Sequence, residues 1–341
     1  MKEILVIDST LRDGSHAIRH QFKAEDIRTY AAAAEKAGVK VLVVGHGNGI
    51  GASSLQIGRS LLPDLDYINI AKKEVSKTKI GVLILPGFGT IKDDLEPAIA
   101  AGAEVVFVTC HCTEADVTQK HIEYVNKRGK EAIGVLMMIH MVSARELLEQ
   151  ALKMQQYGAK GVLLMDSAGA SLPKDVKEKI STLAKGLNIK VGFHAHNNLG
   201  LAVANSLTAV EAGAEFIDTT MRGFGAGAGN CPMEIITAVL HKSGYKTGMD
   251  EFALMDISDS VVVNFTKKPI EIDGIRLTSG LAGVFSGFCP IAEKTGKQFD
   301  VDPKKILVEL GRRKIVAGQE DYITEVALEL SKKKKAPENV V

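Results

Sequence analysis

The chain has 341 residues, long for one ordinary domain but enough for a barrel of about 250 residues plus an appendage. Forty-five per cent of the residues are hydrophobic and 24% charged, and 42 Lys+Arg stand against 41 Asp+Glu, a formal net charge of +1. That balance excludes a dedicated binder of polyanions, and no apolar run approaches the roughly 18 residues of a membrane span, so neither nucleic acid nor a membrane is expected as a partner. The apolar stretch at 4–7 ends at Asp8, short of the about 7–15 residues of a signal-peptide core, and the expected location is cytoplasmic. Four scattered cysteines (Cys110, Cys112, Cys231, Cys289) are too few to staple a chain of this length and read as reduced thiols.

In chain order, eight short runs with strand character fall at 4–7, 41–44, 80–85, 105–108, 133–137, 161–165, 190–193 and 215–217. Between them lie stretches such as 24–37, 144–157 and 199–212, whose apolar residues return at helical spacings of three and four. Gly38, Gly102, Gly158 and Gly213 each stand where a helix ends just before a strand, the place for a left-handed residue. Eight such units predict an α/β fold, a (β/α)8 TIM barrel over 1–265 carrying the catalytic site, with an open doubly wound sheet as the alternative. Beyond about Thr266 the rhythm stops: Pro269, Gly274, Gly280, Gly283, Gly287 and Pro290 break the pattern before helical segments near 303–312 and 319–333. A small helical C-terminal domain is expected over 266–341, and the run from Lys332 to Glu338 reads as a solvated tail.

In such a barrel the residues after each strand converge on one mouth. Asp8 and Arg12-Asp13 follow the first run, His46 the second, His111 the fourth, His140 the fifth, Asp166-Ser167 the sixth, His194-Ala195-His196 the seventh and Asp218-Thr219 the eighth. So many ionisable groups at one end point to an enzyme. His194 and His196, at i and i+2 of a strand, share a face and can offer two imidazoles to one ion, against the plainer reading of two histidines bonded to backbone. Asp13, brought beside the seventh and eighth strands when the barrel closes, supplies a carboxylate. Two His and one Asp leave open coordination positions, which suits a catalytic divalent ion: Mn²⁺, Fe²⁺, Co²⁺ or Zn²⁺. Arg12 is placed to stabilise an oxyanion, with a structural ion pair to Asp13 or Asp8 as the competing reading. His16 is the candidate general base, with His20 supporting it. The glycine-rich segment Gly223–Asn230 precedes a helix near Pro232 and reads as a loop holding an anion on backbone N–H groups, with a flexible turn as competitor. It is wrongly placed for a dinucleotide fingerprint. Cys110-His111-Cys112 lacks a second cysteine pair and reads as packing thiols around one His.

With Asp8-Ser9-Thr10-Leu11-Arg12-Asp13-Gly14-Ser15-His16 and His194-Ala195-His196-Asn197-Asn198 in view, the chain resembles the metal-dependent barrel lyases and synthases that include hydroxymethylglutaryl-CoA lyase and isopropylmalate synthase. Within them it is most similar to the 4-hydroxy-2-oxovalerate aldolases, through Arg12–His20, Leu85-Pro86-Gly87, His111–Asp116, Gly225–Asn230 and Gly318–Asp321. The resemblance implies retro-aldol cleavage of 4-hydroxy-2-oxopentanoate to pyruvate and acetaldehyde, in aromatic hydrocarbon catabolism. Mn²⁺ is the implied ion, with Co²⁺, Mg²⁺ or Zn²⁺ as substitutes. Asp13, His194 and His196 would hold it, Arg12 would stabilise the pyruvate enolate, and His16 would take the C4 hydroxyl proton. Arg12, Ser167 and His194 are the implied substrate contacts; His20, His46, Asn230 and Phe285 are expected around them. A C-terminal domain that docks an acylating acetaldehyde dehydrogenase is implied as well.

Two departures stand out. The family's Gly-Val-Tyr-Ser segment reads Gly283-Val284-Phe285-Ser286 here, without the tyrosine hydroxyl, and its Gly-Gly-Gln-Glu-Asp segment begins with Ala317. The first predicts a slower aldolase or a shifted substrate. Two other functions compete: a Claisen-type condensation of a 2-oxo acid with acetyl-CoA, or related acyl-CoA lyase chemistry, and a dehydrogenase partner subunit whose own catalysis has weakened.

Overall fold

A computed structural model describes residues 2–266 and 270–335. Eight parallel strands close into a barrel in sequence order: β1 (Leu5–Asp8), β2 (Val41–Val43), β3 (Lys79–Ile84), β4 (Ala103–His111), β5 (Glu131–Met137), β6 (Gly161–Asp166), β7 (Lys190–Ala195) and β8 (Phe216–Thr219). Closure is made by β1 against β8, with Leu5 opposite Phe216 and Asp8 opposite Thr219. The expected TIM barrel is the fold found, and the open sheet is set aside. Gly38, Gly102, Gly158 and Gly213 all have φ between 84° and 119°, so each helix-ending junction uses the backbone freedom that glycine alone has at little cost.

Alternation along the strands divides the core into two layers. Ile7, Val41, Val43, Leu83, Val105, Phe107, Ile133, Val135, Leu163, Met165 and Phe216 fill the barrel interior. Their neighbours one residue along, such as Val6, Leu42, Val82, Val106, Leu136, Leu164 and Phe193, pack outward against the helices. This parity sorts the polar residues at the strand ends. Asp8 falls on the outward face: it accepts from Thr10 N (2.9 Å) and Tyr30 OH (2.7 Å), so its expected place at the mouth is corrected. Asp166 likewise turns outward and accepts from Ala170 N (3.1 Å) and Ser171 N (3.0 Å), tying its own loop instead of facing the mouth.

The C-terminal region has its own apolar cluster, built on Val284, Phe288, Cys289, Ala292, Ile306, Leu307, Leu310, Ile323 and Val326. The helices Pro303–Arg312 and Asp321–Lys335 fall where the periodicity put them. Two more, Gly274–Ala282 and Cys289–Phe299, occupy the stretch read as broken. Three features explain the difference. Asp273 caps the first by accepting from Ile275 N and Arg276 N, Gly280 lets it approach Leu199 and Asn198, and Pro290 sits in the first turn of the second, where its missing N–H costs nothing. Pro269 and the tail residues Ala336, Pro337 and Glu338 lie outside the described residues. The four cysteines are free and buried. Among the described residues no helix is long and apolar enough to cross a membrane.

Candidate metal centre at the barrel mouth

Strand β7 lays Gly192 and His194 on the inward face, and the chain carries His196 on to the same side. Glycine is needed at 192 because a Cβ there would lie 2.1 Å from the Phe216 ring, which plugs the barrel below the histidines. Asp13 reaches them from the short 3-10 turn Asp13–Ile18 after β1, a turn fixed by Arg12 N and Gly14 N both donating to Ser9 O. Asp13, His194 and His196 each present one ligand atom, and these atoms lie within 4.8 Å of one another, all three residues being buried.

The donor set fits a divalent cation. Nε2 of His194 and Nδ1 of His196 are buried without a hydrogen-bond partner, so each is free to turn toward an ion, and a carboxylate lies beside them. His194 Nε2 is 3.8 Å from Asp13 Oδ2. Burial works against ionisation of Asp13, yet Arg12, His196, His16 and His194 outweigh it and hold the carboxyl well below the usual range. Burial also lowers His196 to about 4, which keeps its ring neutral and able to ligate.

Around this group, Arg12 donates from NH1 to Asp13 Oδ1 (2.9 Å) and Gly47 O (3.3 Å), while its Nε is buried without a partner. The competing ion pair with Asp8 is therefore not made; Arg12 pairs with Asp13 and, at 3.5 Å, Asp218. His16 places Nε2 at 3.9 Å from Asp13 Oδ1 with 17% of its side chain exposed, and burial lowers it to about 4. Asn230 donates from Nδ2 to Asp13 Oδ2 and to Phe224 O, and its Oδ1 is buried and unpartnered. His20 bonds Ser15 Oγ at 2.9 Å and stacks on His46 with ring centroids 3.8 Å apart, so the two histidines back the His16 side of the mouth.

Other expected residues sit differently. Ser167 Oγ accepts from Met138 N (3.1 Å), and its carbonyl accepts from Ser286. Phe285 is half-buried, edge-on to Phe288 in the C-terminal cluster. Within Gly223–Asn230, Ala228 N donates to Asn198 Oδ1, Gly229 N to Ala226 O and Asn230 N to Gly223 O, so these three N–H groups hold the loop's own shape instead of facing an anion. A Cβ at Gly225 would meet Asn230 Nδ2 at 2.4 Å, so that glycine makes room for Asn230 rather than for a ligand. Cys112 Sγ bonds Met138 O, in keeping with the packing role expected of it.

Two residues take roles that the sequence did not assign them. Asp218 lies 2.9 Å from His194 Nδ1 and accepts from Ser9 Oγ, while Asn198 joins three mouth loops to the C-terminal region. For Asp218 the signal was present: two residues after inward-facing Phe216, it must face inward.

Residues 3–261 match the HMGL-like family and residues 270–332 the DmpG-like communication domain. The chain is 51% identical over 332 residues to the 4-hydroxy-2-oxovalerate aldolase of Pectobacterium atrosepticum, covering 97% of each. It is 50% identical to 4-hydroxy-2-oxovalerate aldolase 2 of Salinispora arenicola, covering 96% of this chain and 94% of that one. Among solved structures, the carboxyl transferase domain of Rhizobium etli pyruvate carboxylase with pyruvate superposes with a TM-score of 0.83 at 15% identity, over 98% of this chain and 61% of that chain, a likeness of fold alone.

Proposed function

The chain belongs to the 4-hydroxy-2-oxovalerate aldolase family, and from that premise we propose that it is a divalent-metal-dependent carbon–carbon lyase cleaving 4-hydroxy-2-oxopentanoate to pyruvate and acetaldehyde. The observation that carries this reading is the buried Asp13, His194 and His196 group with its unpartnered imidazole nitrogens. These three residues hold the ion, Mn²⁺ in our reading, with the amide oxygen of Asn230 as a further contact. When bound, the ion supplies Lewis-acid polarisation of the substrate's 2-oxo group.

The protein's own groups do the rest. His16, neutral at pH 7, takes the proton of the C4 hydroxyl as the C3–C4 bond breaks and the C4–O bond becomes the aldehyde carbonyl. The bonding pair moves toward C2, and negative charge collects on the 2-oxo oxygen of the departing pyruvate enolate. Arg12, anchored at NH1 and left with an uncommitted Nε–H, meets that charge; a proton from solvent at C3 then gives pyruvate, and His16 returns its proton to solvent, so that protons balance. His20 and His46 keep His16 in place. Ser167 shapes the substrate's seat through its bonds to Met138 and Ser286, and Phe285 stands in place of a tyrosine at its edge.

Residues 1–265 form the catalytic unit in this account and 266–341 the unit that docks an acylating acetaldehyde dehydrogenase. The communication-domain match over 270–332 supports that assignment, and the cytoplasm is the natural place for such a pair. The test is His194→Ala: it is expected to abolish metal-dependent pyruvate release from 4-hydroxy-2-oxopentanoate, and retention of that activity would refute the assignment.

A further inference from the structure

Among the residues of the mouth, Asp218 touches neither the open side of the site nor any solvent-facing group, yet both its oxygens are spent on site residues. It is 2% exposed. Oδ1 accepts from Ser9 Oγ at 2.6 Å, and Oδ2 lies 2.9 Å from His194 Nδ1 and 3.5 Å from Arg12 NH2. One position earlier on the same face is Phe216, an apolar plug, which is what a barrel interior needs if filling space is the only task. A carboxylate in that layer is costly to bury unless its bonds are satisfied, and each bond here goes to a group on or beside the metal centre.

We infer that Asp218 is the positioning residue of the site, holding His194 as a metal ligand and Arg12 as the oxyanion partner from one carboxylate. A carboxylate can only accept, so the proton it shares with His194 belongs on Nδ1. That fixes the tautomer: the lone pair is left on Nε2, the atom that is buried without a partner and faces Asp13. The same oxygen draws Arg12 NH2 while NH1 is held by Asp13, so the guanidinium is suspended between two carboxylates that both adjoin His194. Ser9, the residue that follows β1, stops Asp218 from turning away and carries the constraint across the seam where β1 closes on β8. Ion binding and oxyanion stabilisation thus share one support, and loosening it disturbs both.

The inference rests on the metal-dependent reading above, and the test separates the two. Metal-free protein is titrated with Mn²⁺, following loss of the free-ion EPR signal, for the wild type, Asp218→Asn and Ser9→Ala; pyruvate release is then measured at saturating Mn²⁺. Asp218→Asn is expected to weaken Mn²⁺ binding about 10–100-fold, the usual effect of removing the partner of a ligating histidine, and also to lower kcat at saturating Mn²⁺ because Arg12 loses its second anchor. Ser9→Ala is expected to weaken Mn²⁺ binding about tenfold or less with the melting temperature nearly kept, and it carries the test should Asp218→Asn fail to fold. Wild-type affinity and kcat in the folded variants, with an active wild type, overturn the inference and leave the lyase reading intact. A wild type that binds no Mn²⁺ overturns both.

Discussion

Asn198 donates from Nδ2 to Ser286 Oγ across 2.7 Å, joining the loop after β7 to the C-terminal region. The same amide donates to Ala168 O and accepts from Ala228 N, and Ser286 in turn donates to Ser167 O. Three mouth loops and the C-terminal unit therefore meet on one fully buried side chain. Ser286→Ala leaves an Asn198 donor and the Ser167 carbonyl short of a partner, and it is expected to cost about 1–3 kcal/mol in denaturant-unfolding free energy. A loss below a few tenths would mean that the clasp is not what couples the two units.

The approach of Gly47 to His16 gives a second prediction. A Cβ at 47 would lie 2.5 Å from His16 Nε2, so Gly47→Ala must push the imidazole aside. Misplacement of a reacting group by about 1 Å can cost roughly 10²-fold, and a fall in kcat of that order is expected with the melting temperature little changed. Unaltered turnover would remove His16 from the role of base.

A third prediction concerns the junction at the mouth. His140 donates from Nε2 to Gly283 O at 2.9 Å, and burial lowers its pKa to about 4, with nearby Lys179 acting the same way against the pull of that bond. Unfolded histidine titrates near 6.5. Between those values the unfolded chain binds more protons than the folded one, so the stability that His140 contributes is present above about pH 6.5 and fades as pH falls toward 4. Melting temperatures followed from pH 7 to 4 should show this loss, and His140→Gln should flatten the curve over that interval. A variant as acid-sensitive as the parent would assign the loss to other groups.

Phe285 offers a gain-of-function prediction. The ring sits beside Ser286, whose backbone is seated on Ser167 at the mouth. Phe285→Tyr adds the hydroxyl that the resemblance to the aldolases implies at this position and is expected to raise kcat, by up to about 10²-fold, since one positioned hydrogen-bonding group contributes on that scale. A tyrosine variant no faster than the parent would mean that this mouth works without the hydroxyl.

Much of this arrangement was legible in the residues themselves. His194-x-His196 announces two rings on one strand face, and Asp13 follows from closure of β1 onto β8; both arguments use local geometry that the chain must obey. Asp8 and Asp166 misled because position after a strand was read without its parity; Asp218 was rightly placed at the mouth, but only parity with Phe216 aims it at His194. Helix 274–282 was obscured because Gly274 and Gly280 were read as breakers. Gly280 instead allows a close approach to Leu199 and Asn198, residues about 80 positions away in the chain. Long-range contacts of that kind leave no periodic trace in a sequence.

The central claim is that a divalent ion on Asp13, His194 and His196 drives aldol cleavage. Its most direct test is pyruvate release from 4-hydroxy-2-oxopentanoate by protein stripped with chelator and refilled in turn with Mn²⁺, Co²⁺, Mg²⁺ and Zn²⁺. The account predicts no release from the stripped protein and restored cleavage on refilling, with Mn²⁺ the most effective. Failure of every ion to restore cleavage, or full activity in the stripped protein, would contradict it.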